Sequence, residues 1–216
     1  MKKRFAVVLA GCGVYDGAEI QEAVLTLLAI EKNGATYQVF APDILQHDVI
    51  NHISGKAMEE QRNVLIESAR IARGNAKSLH EFDVKDFDAI IFPGGFGCAK
   101  SLSTWAIEGD KCSVHPVVEK ALRDMNSAGK PVGAMCIAPV ILGKIFHGTR
   151  LTTGNDKTSG DFIRKMGSTY VPASHGEVVV DKERKLFSTP CYMLDATIVQ
   201  IAEGTENIVK AIMNEI

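Results

Sequence analysis

Residues 131–139 read Pro131-Val-Gly-Ala-Met-Cys136-Ile-Ala-Pro139, and this stretch predicts the centre of the fold. The apolar run before the cysteine is typical of a buried strand, and residues 137–146 are predicted to form a helix. Ala134 and Ala138 lie two positions before and two positions after Cys136. A strained turn that pushes a nucleophile outward has no room for larger side chains at these two positions. The stretch therefore predicts a strand, a tight turn that carries Cys136, and a helix.

Cys136 has two possible roles on the sequence alone. A lone cysteine is most often a buried structural residue, but its flanking residues here favour a nucleophile. The N-terminus of the following helix directs its free N–H groups and positive dipole end towards the sulfur, which favours the thiolate. Pro139 fits the first helical turn, where its missing N–H group costs little. We therefore expect Cys136 to be the reactive group.

Strands and helices alternate on both sides of this stretch, which predicts an α/β fold with right-handed crossovers and a mainly parallel sheet. We expect one domain over residues 1–216. The expected strands are residues 5–10, 36–41, 88–93, 131–135 and 150–153, with a hairpin of 177–181 and 185–189. The expected helices are residues 18–32, 58–73, 114–128, 137–146 and 194–215, the last with a break near Gly204, and residues 43–55 are expected to be irregular. In the first helix, the apolar positions at helical spacing are Ile20, Val24, Leu27 and Leu28.

Three unusual loops follow strands of this predicted sheet: residues 11–17, residues 94–97 and the turn at Cys136. The carboxyl ends of parallel strands meet at one edge, so these loops are expected to gather there. Gly94 and Gly95 form either a simple tight turn or a site where bare backbone N–H groups stabilise an oxyanion. Cys12 and Cys98 also follow strand ends. They are either scattered by chance or close enough to capture an oxidised Cys136 as a disulfide.

The first glycine loop leads into two acidic residues that compete for the role of proton carrier. Glu19 is either a favourable acid in the first turn of a helix or a carboxyl group within reach of Cys136. Glu22, one turn further on, is the other candidate. None of the six histidines has an acidic partner at useful spacing, and His175 is the one expected nearest to the site.

The composition excludes several classes of protein. The chain has 216 residues, 46% of them hydrophobic, and a formal net charge of -2. This balance argues against nucleic acid or an anionic membrane as a partner. Five scattered cysteines without a CxxC pair fit reduced thiols in the cytoplasm, and no spacing indicates a metal or a dinucleotide.

Several motifs resemble the ElbB family, which belongs to the class I glutamine amidotransferase-like superfamily with the PfpI proteases. They span nearly the whole chain and include Gly11-Cys-Gly-Val-Tyr-Asp-Gly17, Phe92-Pro-Gly-Gly-Phe-Gly97 and Met135-Cys-Ile-Ala-Pro139. The resemblance implies a flavodoxin-like three-layer sandwich with helices on both faces of the sheet. It also implies a homodimer.

The resemblance further implies a glyoxalase that turns glyoxal, and other small 2-oxoaldehydes, into the hydroxy acid without glutathione, metal or other cofactor. The implied nucleophile is Cys136, with Glu19 as the carboxyl group touching it and Gly94, Gly95 and Ile137 at the oxyanion. The family is also associated with isoprenoid biosynthesis. The alternative is a thiol sensor or partner-binding protein with little turnover. An amidotransferase is disfavoured, because residues 188–192 lack the histidine and glutamate that amidotransferases have there. Several glyoxalase relatives carry a histidine where residues 153–155 lie in this chain, and its absence implies low turnover of aldehydes.

Overall fold

The computed structural model describes residues 2–216 and contains a central sheet of seven strands in the order β10-β11-β7-β6-β1-β2-β5. All neighbouring pairs are parallel except β10 with β11, which form the predicted antiparallel hairpin. Two small two-stranded sheets, β3-β4 and β8-β9, lie outside it. The strands are β1 Arg4–Val8, β2 Thr36–Ala41, β3 Ile50–Asn51, β4 Lys56–Ala57, β5 Ala76–Ser78, β6 Ala89–Phe92, β7 Val132–Met135, β8 Arg150–Leu151, β9 Thr169–Tyr170, β10 Val179–Asp181 and β11 Leu186–Thr189.

Eight α-helices complete the flavodoxin-like three-layer sandwich that the sequence predicts. They are α1 Ile20–Lys32, α2 Val64–Ile71, α3 Phe96–Lys100, α4 Trp105–Glu108, α5 Pro116–Ser127, α6 Pro139–Ile145, α7 Lys157–Lys165 and α8 Ile198–Met213. Strands β6 and β7 are buried along their whole length, as a sheet covered on both faces requires. No helix among residues 2–216 is long and apolar enough to cross a membrane.

Some expected element bounds differ from those in the structure. The helix expected over residues 58–73 begins only at Val64, because the Asn63 side chain caps it by accepting the Ile66 N–H group. Helix α8 runs without a break through Gly204, which is buried. The short elements β5, α3, α4, α7 and β9 were not predicted, because each is only two to nine residues long.

Helix α1 presents a different face to the core from the one that its apolar residues indicate. Ile20, Val24 and Leu28 lie outward with 44%, 47% and 49% of their surface exposed. The buried positions of this helix are Glu22, Ala23, Thr26, Leu27, Ala29 and Ile30. Leu27 is buried as expected, but the other three expected positions are not. The side of the helix away from Ile20, Val24 and Leu28 packs inward, and it carries a carboxyl group into the interior.

Candidate active site

The three loops that the sequence singles out meet at one edge of the sheet. They follow β1, β6 and β7, which are neighbouring strands. Backbone hydrogen bonds join the first two loops: the Glu19 N–H group donates to the Gly94 oxygen at 2.9 Å, and the Phe96 N–H group donates to the Val14 oxygen at 2.8 Å. The turn after β7 is fixed to β11, because the Cys136 N–H group donates to the Thr189 oxygen at 3.0 Å. The topology therefore brings the loops together as predicted.

Cys136 occupies the strained turn between β7 and α6. Its φ is 59°, in the left-handed region that residues other than glycine rarely adopt. Ala134 and Ala138 are buried on either side of it, and only 6% of the cysteine itself is exposed. The turn matches the geometry of a nucleophile elbow, which holds one side chain outward at a defined angle. The strain costs on the order of 1–3 kcal/mol, which the surrounding packing must offset.

Gly94 allows the second loop to lie directly against the cysteine. A Cβ atom added at Gly94 would lie 2.3 Å from the Cys136 Cβ atom and 2.7 Å from Glu22 Oε2. At Gly95, where φ is 101°, an added Cβ atom would lie 2.4 Å from both the Glu19 nitrogen and the Gly17 oxygen. Both positions therefore require glycine for close backbone approach, in addition to any role of their N–H groups.

The carboxyl group at the sulfur belongs to Glu22 and not to Glu19. Glu22 is fully buried and forms a hydrogen bond with the Cys136 side chain. Its Oε2 atom accepts the Gly94 N–H group at 2.9 Å, and its Oε1 atom accepts the Tyr192 N–H group at 3.1 Å. The expectation that Glu19 touches the sulfur is wrong. Glu19 is the N-cap of α1, where its half-buried carboxylate accepts the Glu22 N–H group at 2.7 Å.

The electrostatics of this pair follow from its burial. Burial raises the pKa of Glu22 to about 8, and the charge of Glu19 adds to the increase. Burial also raises the pKa of Cys136 well above its ordinary value, and the nearby Glu22 carboxylate raises it further. The backbone N–H groups of Gly95 and Ile137 lower the pKa of Cys136, as the helix-terminus argument expects, but burial outweighs them. The resting pair therefore retains protons near neutral pH, and the two groups titrate together.

The three backbone N–H groups that were expected to bind an oxyanion are not equivalent. Those of Gly95 and Ile137 form hydrogen bonds with the Cys136 sulfur. The N–H group of Gly94 is directed instead to the Glu22 carboxyl group. The N–H groups of Gly95 and Ile137 therefore lie at the sulfur, whereas the N–H group of Gly94 holds the Glu22 carboxyl group in position.

A pocket with a volume of about 260 Å³ opens above Cys136. Val14, Phe96, Trp105, Ile137, Tyr192 and Met193 form most of its wall, and Asp156 and Thr158 lie at its other side. A pocket of mostly apolar side chains with a few convergent polar groups is the usual form of a small-molecule site. The sequence did not indicate the contribution of Trp105, Tyr192 and Met193, since they lie in short elements that were not predicted.

Comparison with known proteins places this site in a family. The model of the DJ-1/PfpI family matches residues 12–190, a span that includes the glycine loops, the elbow and Pro190. The chain belongs to the DJ-1/PfpI family.

Two vertebrate proteins resemble the chain over nearly its whole length. A human protein named "Glutamine amidotransferase-like class 1 domain-containing protein 3, mitochondrial" is 41% identical over 97% of this chain and 82% of its own length. The zebrafish (Danio rerio) "ES1 protein, mitochondrial" is 33% identical over 96% of this chain and 84% of its own length.

Solved structures agree with this assignment. An isoprenoid biosynthesis protein with an amidotransferase-like domain from Ehrlichia chaffeensis superposes with a TM-score of 0.92 at 33% identity, covering 99% of this chain and 100% of the other. Drosophila melanogaster DJ-1beta superposes with a TM-score of 0.56 at 19% identity, covering 99% and 95%, and so shares the fold.

The two other thiols expected around the nucleophile of this DJ-1/PfpI protein do not line its pocket. The Cys98 Sγ atom donates to the Pro93 oxygen at 3.3 Å and is fully buried. Cys12 is partly exposed, and the charges that act on it are those of Glu67, Arg70, Asp16 and Arg62. Cys191, which sequence reasoning did not single out, is buried just beyond β11 and influences the pKa of Cys136. Its position two residues after a strand that pairs with β7 was the available signal.

No histidine lines the Cys136 pocket within residues 2–216. His175, the histidine expected nearest to the site, borders a separate hollow with Asn155, Pro172 and Leu194. Of the ionisable side chains in this part of the chain, Glu22 alone forms a hydrogen bond with the Cys136 side chain. The ionisable side chain that contacts this sulfur is therefore a carboxyl group and not an imidazole.

Proposed function

We propose that this protein is a cofactor-independent glyoxalase of the ElbB type, which converts glyoxal and other small 2-oxoaldehydes to the hydroxy acid. The observation that carries the proposal is the buried Cys136–Glu22 pair, which lies beneath the backbone N–H groups of Gly95 and Ile137. A thiol nucleophile, one carboxyl group with a pKa near the working pH and two oxyanion donors are the groups that this reaction needs.

The first step joins the sulfur to an aldehyde carbon. In the molecules in which Glu22 is ionised, its carboxylate accepts the thiol proton as the Cys136 sulfur attacks, so the thiolate forms only when a carbonyl group is in place. The aldehyde oxygen becomes an oxyanion that the N–H groups of Gly95 and Ile137 stabilise. Glu22 returns the proton to this oxygen, which gives a hemithioacetal and leaves the carboxylate free for the next step.

The second step moves hydrogen between the two carbons. The Glu22 carboxylate removes the proton from the carbon bound to sulfur, and the aldehyde oxygen on the neighbouring carbon takes up a proton, which gives an enediol. Glu22 then protonates the neighbouring carbon while the hydroxyl group on the carbon bound to sulfur loses its proton, so the net change moves one proton between the carbons and one between the oxygens. The product is a thioester of the hydroxy acid. Water opens the thioester, and the acid leaves as the Cys136 thiol is restored. The overall change is the addition of one water molecule to glyoxal, with no external oxidant or reductant.

Steady-state turnover of glyoxal and methylglyoxal tests the proposal. We expect Cys136→Ser to abolish turnover while the fold remains intact, because an alcohol is a much weaker nucleophile than a thiol. Glu22→Gln is expected to lower turnover at least about 100-fold, the usual contribution of general acid–base catalysis. Glu31→Gln, at the exposed end of the same helix, is the matched control and is expected to keep wild-type turnover. Wild-type turnover in Cys136→Ser would refute the mechanism.

Two other functions receive less support. A thiol sensor requires an accessible thiol of low pKa, whereas Cys136 is buried and its pKa is raised. The name of the human relative suggests glutamine hydrolysis as an alternative. That reaction requires a histidine beside the cysteine, and no histidine lines this pocket among residues 2–216. The resemblance to ElbB and the name of the Ehrlichia protein support an association with isoprenoid biosynthesis.

We also propose that two copies pair through the exposed apolar face of α1. Ile20, Val24 and Leu28 recur every four residues on this face and are nearly half exposed. A twofold axis at the centre of such a stripe lets each helix cover the same residues of the other. The five free cysteines of residues 2–216 support a reducing compartment, of which the cytoplasm is one.

A further inference from the structure

The pocket above Cys136 is much larger than glyoxal. Its volume of about 260 Å³ approaches the roughly 300 Å³ at which protein pockets begin to enclose drug-sized ligands. A two-carbon dialdehyde with one carbon at the sulfur leaves most of this space to water. A second hollow of about 370 Å³ shares Phe96, Trp105 and Thr158 with it and continues to Phe162. The site therefore has room for a substrate with a substantial tail.

The walls that would surround such a tail are apolar. Phe96, Trp105 and Met193 line the pocket away from the elbow. The Trp105 ring packs on the Phe162 ring at a centroid distance of 5.8 Å and an angle of 64°, which fixes its orientation. Aromatic and thioether surfaces of this kind bind apolar groups, and they gain little from a small hydrated dialdehyde.

The charges around the pocket disfavour an anionic substrate. Within residues 2–216 no lysine, arginine or histidine lines it, and the charged lining residue is Asp156. Asp156 caps α7, where its Oδ2 atom accepts the N–H group and the hydroxyl group of Ser159 at 2.8 and 2.6 Å. Lys100 lies 5.9 Å from the centre of the Phe96 ring, but its ammonium group is bound to Asp48 at 2.7 Å. A carboxylate or phosphate on the substrate would meet a negative charge without a compensating cation.

We propose that the preferred substrates of this site are uncharged 2-oxoaldehydes with an apolar, preferably aromatic, tail that lies between Phe96 and Trp105. This rests on the proposed function, since it assumes that Cys136 captures the aldehyde. Phenylglyoxal is the simplest such compound. Its kcat/KM is expected to exceed that of glyoxal at least about tenfold, because even one added methylene group in an apolar pocket changes specificity by about 10–200-fold.

Binding can be measured separately from turnover, because Trp105 is the one tryptophan of the chain. Its fluorescence reports occupancy of the pocket in the Cys136→Ser variant, which cannot complete the reaction. Acetophenone carries the aromatic tail without the aldehyde and is expected to change the Trp105 emission in a saturable way. 4-Acetylbenzoate, which adds a carboxylate to the aromatic ring of acetophenone, is expected to bind at least about tenfold more weakly. Equal binding of the two compounds, or none of acetophenone, overturns the inference.

Kinetics of the wild type and three α4 variants complete the test. Trp105→Ala is expected to reduce the preference for phenylglyoxal over glyoxal to nearly one, and Trp105→Phe is expected to retain most of it. Ile107→Ala, on the same helix but exposed and outside the pocket, is the control and is expected to keep the full preference. A wild type that prefers glyoxal overturns the inference and leaves the glyoxalase proposal standing. Saturable binding of acetophenone without turnover of any aldehyde would refute the proposed glyoxalase reaction. It would still support the inference that the pocket binds uncharged, apolar ligands.

Discussion

Because Glu22 is buried, we expect its contribution to the free energy of unfolding to fall as the pH rises. Its pKa is about 8 in the folded protein against 4.5 for the ordinary group. Because the folded pKa is raised, the folded state holds the proton more tightly than the unfolded chain does. The stability that this gives is fully present below pH 4.5 and is lost progressively until about pH 8. At about 1.36 kcal/mol per pKa unit, the loss between pH 4.5 and 7 is about 3 kcal/mol.

Glu22→Gln removes this pH dependence. The glutamine side chain has an NH2 group where one carboxyl oxygen accepts an N–H group, so the variant also loses a hydrogen bond to Gly94 or Tyr192. That penalty, on the order of 1–3 kcal/mol, is the same at every pH. The difference between wild type and variant is therefore expected to change by about 3 kcal/mol in favour of the variant from pH 4.5 to 7, whatever its starting value.

Urea unfolding at a series of pH values between 4.5 and 8 measures this difference, with linear extrapolation to water at each pH. Glu31→Gln is the control, because Glu31 is exposed on the same helix and its substitution leaves the Glu22 environment intact. A difference between wild type and Glu22→Gln that stays constant over this range would show that Glu22 ionises in the folded protein as it does in water. The proton-transfer role assigned to Glu22 would then lose its physical basis.

Three further predictions concern the packing of the site, the dimer and the other thiols. Gly94→Ala is expected to lower stability by about 1–3 kcal/mol in urea unfolding and to abolish turnover, because its Cβ atom would lie 2.3 Å from that of Cys136. Gly204→Ala is the control, because an added Cβ atom there lies 3.5 Å from its nearest contact and is expected to be tolerated. Wild-type turnover in Gly94→Ala would contradict the packing argument. Val24→Glu is expected to shift a dimer to a monomer in light scattering, while Ile107→Glu is not; an unchanged mass in Val24→Glu argues against pairing through α1. Capture of oxidised Cys136 by Cys12 or Cys98, neither of which lines the pocket, stays a prediction from the sequence. A linked peptide in mass spectrometry after mild peroxide would support it, and sulfinic or unoxidised Cys136 beside two free thiols contradicts it.

Most of the fold could be predicted from local patterns. Strand β2 lies at residues 36–41 as expected, and the hairpin of β10 and β11 lies within its expected range. The strand, turn and helix around Cys136 also agree, because the alanines on either side and Pro139 constrain the backbone locally. Such features depend on a few neighbouring residues, and a single sequence contains all the information that they need.

The error at Glu19 came from the resemblance to the ElbB family, because the residues alone left Glu19 and Glu22 open as candidates. The apolar pattern of α1, which could have decided between them, pointed to the wrong face. Ile20, Val24 and Leu28 form an apolar stripe with correct helical spacing, so the pattern indicates that they face the core. The inward face is less hydrophobic, since it includes Glu22 and Thr26. Helix α1 packs against the sheet and α8, and these contacts decide which of its two faces is buried. The spacing of residues within α1 alone does not indicate this choice. Had the inward face been chosen correctly, Glu22 would have been the predicted acid.

The misleading stripe and the buried acid are two consequences of one helix orientation. Turning Glu22 inward places a carboxyl group at the sulfur, and it leaves Ile20, Val24 and Leu28 on the surface. Burying an unpaired carboxylate is costly, so Glu22 stays protonated or shares a proton with Cys136, and its two backbone donors hold it in place. In the proposed mechanism, the thiol consequently keeps its proton until a carbonyl compound enters the pocket. Burial therefore makes this protonated thiol different from an exposed thiolate, which oxidants reach directly.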